Sequence, residues 1–163
     1  MSVAEPSSLR PVTQDDLPKV LGIELRVHSA PWTEGNLAAE LTKPYSNFLV
    51  LTDDETDEKV MGYIVFWVLF EECQIINVAV DLPFRGLGLA KKMVRQAVNQ
   101  AVQKGIRKIL LDVRKSNQAA FSLYQSLGFV VTHIRKDFYS LGSTREDAYQ
   151  MALYLEDPTG VQF

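Results

Sequence analysis

The chain has one cysteine, Cys73, only two histidines, and no apolar run longer than the eight residues 63–70 (YIVFWVLF). A single cysteine cannot form a disulfide within the chain. The histidines, His28 and His133, stand alone, and no spacing supports a metal site. Eight apolar residues suit a buried strand and are too few to cross a bilayer. The sequence therefore predicts no disulfide, no metal ion and no transmembrane segment.

Positive charge is also in short supply, with 17 Lys and Arg against 20 Asp and Glu, for a net charge of −3. Nucleic acids and anionic membranes select basic faces, so neither is expected as a partner. No basic start followed by an apolar stretch suggests export, and with the lone cysteine this favours the cytoplasm. The 163 residues, 47% of them hydrophobic, suit a single domain over residues 1–163 with a loose tail from about residue 156.

The sequence pattern of the first half of the chain predicts two helices followed by a β-hairpin. Residues 13–28 predict a helix opened by Thr13. A second helix is predicted with its cap at Thr33 and its end before Pro44. Residues 47–70 then read as two antiparallel strands joined by an acidic, solvated turn at residues 53–58.

The second half alternates strands and helices. Strands are predicted at residues 75–80 and 108–114, with a helix between them that ends at Gly105. A short helix follows, capped by Ser116 or Asn117 and ended by Gly128. One apolar face is predicted for the first of these helices, formed by Leu89, Met93, Val94, Ala97, Val98, Ala101 and Val102.

Two glycines, Gly86 and Gly88, stand one residue apart where the strand at 75–80 gives way to the helix. Without a Cβ the backbone can approach a ligand closely, and the free amides that begin a helix bind anionic oxygens. Lys91 and Lys92 add positive charge. A phosphate or pyrophosphate is one natural occupant, and a plain tight turn is the other interpretation. The dinucleotide-binding version is not matched, because the third glycine is missing.

The segment Arg85-x-x-Gly88-x-Ala90 matches the Q/R-x-x-G-x-G/A pyrophosphate loop of the GNAT superfamily of N-acetyltransferases. With APW at residues 30–32, LLDVRKSNQAAFSLYQSLGF at 110–129 and REDAYQMALYL at 145–155, the chain resembles the RimI-type ribosomal-protein-alanine N-acetyltransferases. The resemblance implies a GNAT-type mixed α+β (α/β) fold. Its sheet is central, mixed and mostly antiparallel, with six to seven strands flanked by about four helices.

The resemblance implies acetyl-coenzyme A (acetyl-CoA) as acyl donor and no metal. It places the donor against the end of one strand, the glycine loop and the start of the short helix. The residues expected to contact it are Val78, Ala79, Val80, Arg85, Gly86, Leu87, Gly88, Leu89, Ala90, Lys91, Asn117 and Tyr124. For Asn117, a plain helix cap is the alternative role.

The resemblance makes Tyr124 the acid that protonates the departing thiolate. Periodicity alone makes it a core aromatic, because Ala120, Phe121, Tyr124 and Leu127 share one helical face. Asp112 stands where RimI-type enzymes carry a glutamate, one methylene longer. It is either a base that acts through a water or the ion-pair partner of Arg114 on the same face of its strand. Cys73 is expected to be a small buried hydrophobe.

For the acceptor, the resemblance points to the loop after the first helix and to a late hairpin, with Pro31, Trp32, Glu34, Phe138 and Tyr139 as contacts. Phe138 lacks a hydroxyl where the family often has a second tyrosine. An α-amine is about a tenth neutral at neutral pH and a lysine about a thousandth, so an α-amine needs a weaker base.

The resulting hypothesis is a cytoplasmic enzyme that acetylates the N-terminal α-amine of a ribosomal protein by direct attack. Two alternatives stay open. One is an acetyltransferase for a small amine such as a polyamine or an aminoglycoside, and the other is a coenzyme-binding sensor or assembly partner without catalysis. The sequence does not indicate an oligomeric state.

Overall fold

The computed structural model describes residues 7–53 and 59–156. Within them the chain forms two compact units. The first unit consists of the chain up to Trp67 and of Ile76–Ala97. The second unit consists of Val68–Ile75 and of the chain from Val98 onward. The predicted single domain stays a prediction. Most of the predicted acidic turn, residues 54–58, and residues 157–163 of the predicted tail lie outside the described residues.

The strands form a mixed, mostly antiparallel sheet, as the resemblance implies. In the described part of the chain there are seven, in the order β1-β2-β3-β4-β5-β7-β6. They are β1 (Ser7–Pro11), β2 (Ser46–Asp53), β3 (Val60–Leu69), β4 (Glu72–Val80), β5 (Lys108–Arg114), β6 (Val130–Leu141) and β7 (Thr144–Tyr154). β4 and β5 run parallel through three residue pairs, from Glu72 opposite Lys108 to Gln74 opposite Leu110. β1–β2, β2–β3, β5–β7 and β6–β7 are antiparallel pairs.

The helices agree with the predicted number of about four. In the described residues they are α1 (Leu17–Val27), α2 (Glu34–Glu40), α3 (Leu89–Gln103) and α4 (Gln118–Ser126). Thr33 caps α2 by accepting the backbone N–H of Asn36, and Gly105 and Gly128 follow the ends of α3 and α4 with positive φ, as expected.

The start of α1 differs from the prediction. Thr13 does not open the α-helix but caps a short 3-10 helix, Gln14–Asp16, and α1 begins at Leu17. The Asp16 carboxylate returns to Thr13, accepting its N–H at 2.7 Å, and so closes a capping box within this one turn. Pro18 then stands near the start of α1, where its missing N–H is not needed.

Burial follows the predicted periodicities with two corrections. The buried residues of α3 are Leu89, Met93, Val94, Ala97 and Ala101. Val98 is half-buried and Val102 is 47% exposed, because these two lie beyond the arc of the helix that the buried residues share. The predicted strand at residues 63–70 ends at Leu69. Phe70 has a positive φ of 56° in the turn to β4 and is 92% exposed.

Gly62 of β3 is required by packing within the first unit. A Cβ built there would lie 2.6 Å from the carbonyl oxygen of Ala79 and 3.1 Å from Cε of Met93. The first of these contacts is with backbone, which cannot rotate away. Gly62→Ala should therefore destabilise the fold by about 1–3 kcal/mol, as overpacking does.

In a thermal unfolding measurement this cost should lower the midpoint by about 2–12 °C. Gly35→Ala in α2 is the matched control, because its Cβ would meet only Thr33 Oγ1 at an ordinary 3.7 Å. Alanine is also the better helix former there. A Gly62→Ala protein as stable as the Gly35→Ala control would contradict the close approach of β3 to β4.

Candidate active site

The glycine loop joins β4 to α3 and has the geometry of an anion-binding turn. Gly86 has φ +80° and Gly88 has φ +75°, and no atom lies within 4 Å of a Cβ built at either position. The left-handed backbone, not crowding, therefore requires glycine at both. The N–H of Lys92 donates to Gly88 O at 3.1 Å. The amides of Leu89, Ala90 and Lys91 come before Lys92 at the N-terminal end of α3. The first N–H groups of a helix have no partner within it and carry partial positive charge.

The basic side chains at this loop have different surroundings. Arg85 is exposed, and Lys91 is half-buried. Lys92 is already engaged in the first unit, where its ammonium donates to Ser7 Oγ at 2.8 Å and to the Ser7 carbonyl. Lys92 therefore holds the start of β1, which leaves Arg85 and Lys91 as the basic candidates for contact with an anion.

The end of β4 alternates in burial, so its two sides have different neighbours. Ala79 is buried, whereas Val78 and Val80 are half-buried. All three follow the three residue pairs that join β4 to β5. Their predicted coenzyme contacts are through backbone, the mode by which an extended ligand adds to a strand.

A buried carboxylate in the first unit was missed at the level of sequence. Glu24 of α1 is 1% exposed. Its Oε2 accepts the Tyr63 hydroxyl and the Asn77 amide, the latter at 3.0 Å, and its Oε1 accepts the backbone N–H of Trp32 at 2.9 Å. His28 Nε2 lies 3.5 Å from Oε2 without the geometry of a hydrogen bond. The available signal was a glutamate at helical spacing from the core residues Leu17, Val20 and Ile23.

The loop after α1 carries the residues predicted to contact the acceptor. Pro31 and Trp32 lie between α1 and α2, and Glu34 is the exposed first residue of α2. Trp32 lines a cavity of about 300 Å³, whose walls also include Trp67 and Ile76. The volume is at the small end of the range for ligand sites, large enough for one or two side chains.

Tyr124 lies in α4 of the second unit and is 8% exposed. Its ring packs on that of Phe129 with the centroids 5.7 Å apart, so the core-aromatic interpretation is correct as far as the ring goes. Burial, with a smaller contribution from Tyr139, raises the pKa of the Tyr124 hydroxyl to about 12. The group therefore stays protonated near neutral pH, so it can give a proton but cannot accept one, and its burial makes it a weaker acid than an exposed tyrosine.

Asp112 of β5 does not pair with Arg114, which corrects the structural alternative. Its Oδ1 lies 3.2 Å from Nε of Arg135 on β6, while Arg114 lies 3.6 Å from Glu146 on β7. Oδ1 is buried, and the contact with Arg135 does not have the geometry of a hydrogen bond. Burial raises the pKa of Asp112, and the nearby guanidinium of Arg135 only partly offsets this. The carboxylate is therefore a stronger base than an exposed aspartate.

A bulge in β6 presents the two aromatic residues predicted to contact the acceptor. The register with β7 shifts between Arg135 and Tyr139, where Asp137 has a φ of 53° and donates its N–H to Asp147 Oδ1 at 3.0 Å. Phe138 is exposed and Tyr139 is half-buried, with their rings edge-to-face at 5.0 Å.

Tyr139, in the same unit as Asp112 and Tyr124, lies in a charged environment. The guanidinium of Arg114 lies 4.1 Å from the centroid of its ring. Burial raises the pKa of its hydroxyl, and the charge of Asp112 raises it further. Tyr139 in turn contributes to the raised pKa of Tyr124, so electrostatic effects link three of the predicted residues within this unit.

The structure also shows the surroundings of Asn117 and Cys73. Asn117 is the N-cap of α4, where its Oδ1 accepts the N–H of Ala120 at 3.1 Å, so only its Nδ2 is left for a coenzyme contact. Cys73 lies inside β4 and is fully buried, and burial raises the pKa of its thiol to about 12. Such a thiol is protonated and is not a nucleophile, as expected.

None of the helices within residues 7–53 and 59–156 has both the length and the apolar character needed to cross a bilayer. In the same residues, no three His, Cys, Asp or Glu side chains are grouped so as to hold a metal ion.

The chain is similar in sequence to a known family and to characterised relatives. The model of the acetyltransferase (GNAT) family matches residues 17–129. The [ribosomal protein bS18]-alanine N-acetyltransferase of Escherichia coli (strain K12) is 34% identical over 138 residues, which cover 85% of this chain and 90% of that protein. The enzyme of the same name from Haemophilus ducreyi is 35% identical over 145 residues, covering 88% of this chain and 97% of that protein.

A solved structure agrees with these relatives. The crystal structure of the ribosomal-protein-S18-alanine N-acetyltransferase from Escherichia coli superposes with a TM-score of 0.84 at 30% identity. The match covers 97% of this chain and 100% of that chain. Sequence and fold therefore point to the same group of proteins.

Proposed function

Because the chain belongs to the acetyltransferase (GNAT) family, we propose that it transfers acetyl from acetyl-CoA to the α-amine of an N-terminal alanine on a ribosomal protein. The observation that carries the acceptor class is the 34% identity to the [ribosomal protein bS18]-alanine N-acetyltransferase of Escherichia coli. The match spans 90% of that protein, so the likeness is not confined to the part that binds the donor. We place the reaction in the cytoplasm, where ribosomal proteins are made.

The glycine loop and β4 would hold the donor, which supplies an acyl group activated as a thioester. The positive φ of Gly86 and Gly88 and the amides that begin α3 suit a pyrophosphate, and the exposed guanidinium of Arg85 complements its charge. Val78–Val80 would bind the extended arm of the coenzyme through backbone hydrogen bonds. Asn117 would add its Nδ2 as a donor.

Tyr124 and Asp112 would handle the protons of a direct transfer. Asp112 takes up, through a water, the proton that the acceptor amine loses as its nitrogen bonds to the acetyl carbon. Tyr124 gives its hydroxyl proton to the coenzyme sulfur as the carbon–sulfur bond breaks. The raised pKa of Asp112 suits a base, and the pKa of Tyr124 keeps its hydroxyl protonated so that a proton is present to give.

The acceptor loop and the β6–β7 hairpin would hold the peptide. Trp32 offers a cavity wall beside Pro31, and Glu34 is exposed at the start of α2. Phe138 and Tyr139 offer two rings at the bulge of β6.

Mass spectrometry of peptides incubated with the protein and acetyl-CoA tests the proposal. The panel has alanine, serine or methionine as first residue, with each peptide also in an N-terminally blocked form that keeps its lysines, and it includes the bS18 N-terminal sequence. We expect one acetyl group on free alanine-first peptides and none on the blocked forms. Acetylation of polyamines or aminoglycosides but of no peptide would contradict the acceptor class, and coenzyme binding without any product would contradict catalysis.

A further inference from the structure

We propose that Glu24 is a positioning residue for the acceptor, an inference that rests on the proposed function. It would fix the cavity lined by Trp32, Trp67 and Ile76, called the acceptor cavity below. Glu24 neither lines that cavity nor belongs to the predicted site. It is a buried carboxylate that receives three hydrogen bonds from three different parts of the chain.

The three donors tie the acceptor loop to two strands. The N–H of Trp32 binds Oε1, while the Tyr63 hydroxyl and the Asn77 amide bind Oε2. Tyr63 is in β3 and Asn77 is in β4, directly before Val78 of the predicted donor strand. One side chain therefore sets the distance between the acceptor loop and the strand that would carry the acetyl group.

The hydrogen bonds of Glu24 also determine the position of two walls of the acceptor cavity. Trp32 and Ile76 are two of its walls. The backbone N–H of Trp32 donates to Glu24. Ile76 directly precedes Asn77, whose side-chain amide also donates to Glu24. If Glu24 lost one of these partners, the two walls would no longer be fixed to a common point, and the cavity would change width.

The chemistry of the cluster favours positioning over direct proton transfer. Both oxygens of Glu24 accept hydrogen bonds from groups of the fold itself, and the side chain is 1% exposed, so it faces its donors and not the acceptor. Removing one partner from a buried charge is costly, so such clusters hold their elements in one arrangement. Glu24 therefore acts through Trp32 and not on the acceptor itself.

Glu24→Gln is the informative variant, because a glutamine cannot accept at both ends. Its single oxygen keeps the most bonds by facing Tyr63 and Asn77, which leaves its NH₂ group opposite the N–H of Trp32. Amide hydrogen exchange in residues 28–33 should become at least about tenfold faster, the size expected from one lost hydrogen bond to a charged group. The KM for an alanine-first peptide should rise by about five- to tenfold, with the KM for acetyl-CoA and kcat within about twofold.

Two further variants separate positioning from general loss of stability. Asp16→Asn alters another buried carboxylate of the same unit, which holds Arg10 and Thr13 and does not contact the acceptor loop. It should lower the melting temperature without changing either KM. Tyr63→Phe removes one donor to Glu24 and keeps the ring, so it should raise the acceptor KM less than Glu24→Gln does.

A double-mutant cycle with Trp32→Ala completes the test. If Glu24 acts through Trp32, the effect of Glu24→Gln on the acceptor KM should largely vanish in the Trp32→Ala background. An acceptor KM that responds equally to Glu24→Gln and Asp16→Asn would overturn the proposal, as would unchanged exchange in residues 28–33. The exchange measurement needs no substrate. If the wild type acetylates no peptide while exchange in this segment still responds, the proposed function fails and the tie through Glu24 stands.

Discussion

Replacement of Tyr124 by phenylalanine should lower kcat by about 100-fold, toward the lower end of what a general acid contributes. The lower end is expected because the leaving thiolate is itself only a moderate base, with a thiol pKa near that of cysteine at about 8.5. The ring of Tyr124, which packs on Phe129, is kept, so the loss belongs to the hydroxyl alone. Steady-state kinetics with a free alanine-first peptide measures it.

The hydroxyl effect has to be separated from packing. The Kd for acetyl-CoA should stay within about threefold, because the side chain would act on the sulfur during transfer and not on the bound ground state. Tyr149→Phe is the matched control, since Tyr149 packs on Phe121 with ring centroids 5.3 Å apart in the same unit and has no predicted role. A Tyr124→Phe enzyme that turns over like the Tyr149→Phe control would remove Tyr124 from the mechanism.

Local rules were enough to predict most elements of the fold. A cap, a glycine and a helical repeat each act over a few residues, so Thr33, Gly105 and the buried face of α3 follow from the printed order. The prediction for Val102 was wrong, because this residue lies about 100° around the helix from the buried Ala101 and falls outside the buried arc. Thr13 was correctly seen as a cap, but a single 3-10 turn intervenes before α1.

The partners of the charged groups could not be predicted in this way. Asp112 and Arg114 share a face of β5, yet residues two apart on a strand are separated by almost 7 Å, and a neighbouring strand lies closer. Arg135 of β6 therefore becomes the partner of Asp112. The same holds for Glu24, whose donors Tyr63 and Asn77 are 39 and 53 residues away in sequence. Contacts at that separation follow from the assembled sheet and not from a local pattern.

Asp112→Asn should lower kcat/KM by about 10- to 100-fold near pH 7, the contribution expected of a base that acts through a water. Toward pH 9 the defect should shrink, because an α-amine with a pKa of about 7.7–8.0 then reaches the enzyme already neutral. The pH profile of kcat/KM for an alanine-first peptide measures both effects. A defect of constant size from pH 6.5 to 9 would contradict a base and point to Arg135, the partner that the substitution also affects.

Stability should respond to Asp112→Asn in the opposite sense to a typical salt-bridged carboxylate. The pKa of Asp112 is raised in the folded protein, so its contribution to stability is fully present below the unfolded pKa of about 3.8 and is lost as the pH rises through the folded value. At pH 7 the neutral asparagine should therefore not lower the free energy of unfolding, and any gain over wild type should fade as the pH is lowered. Glu146 is the control, because its hydrogen bonds to Ser116 lower its pKa and Glu146→Gln should cost stability at pH 7.

Asp112→Glu distinguishes a base limited by reach from a residue that only holds Arg135. The glutamate restores the side-chain length of the family that the chain resembles and places the carboxylate one methylene, about 1.5 Å, further out. If Asp112 is the base, kcat/KM should be at least that of the wild type, because the bridging water is no longer needed. If Asp112 serves only to fix Arg135, the longer side chain should disturb the 3.2 Å contact and lower activity as Asp112→Asn does. The two substitutions therefore give opposite changes in kcat/KM for a base and parallel losses for a structural residue.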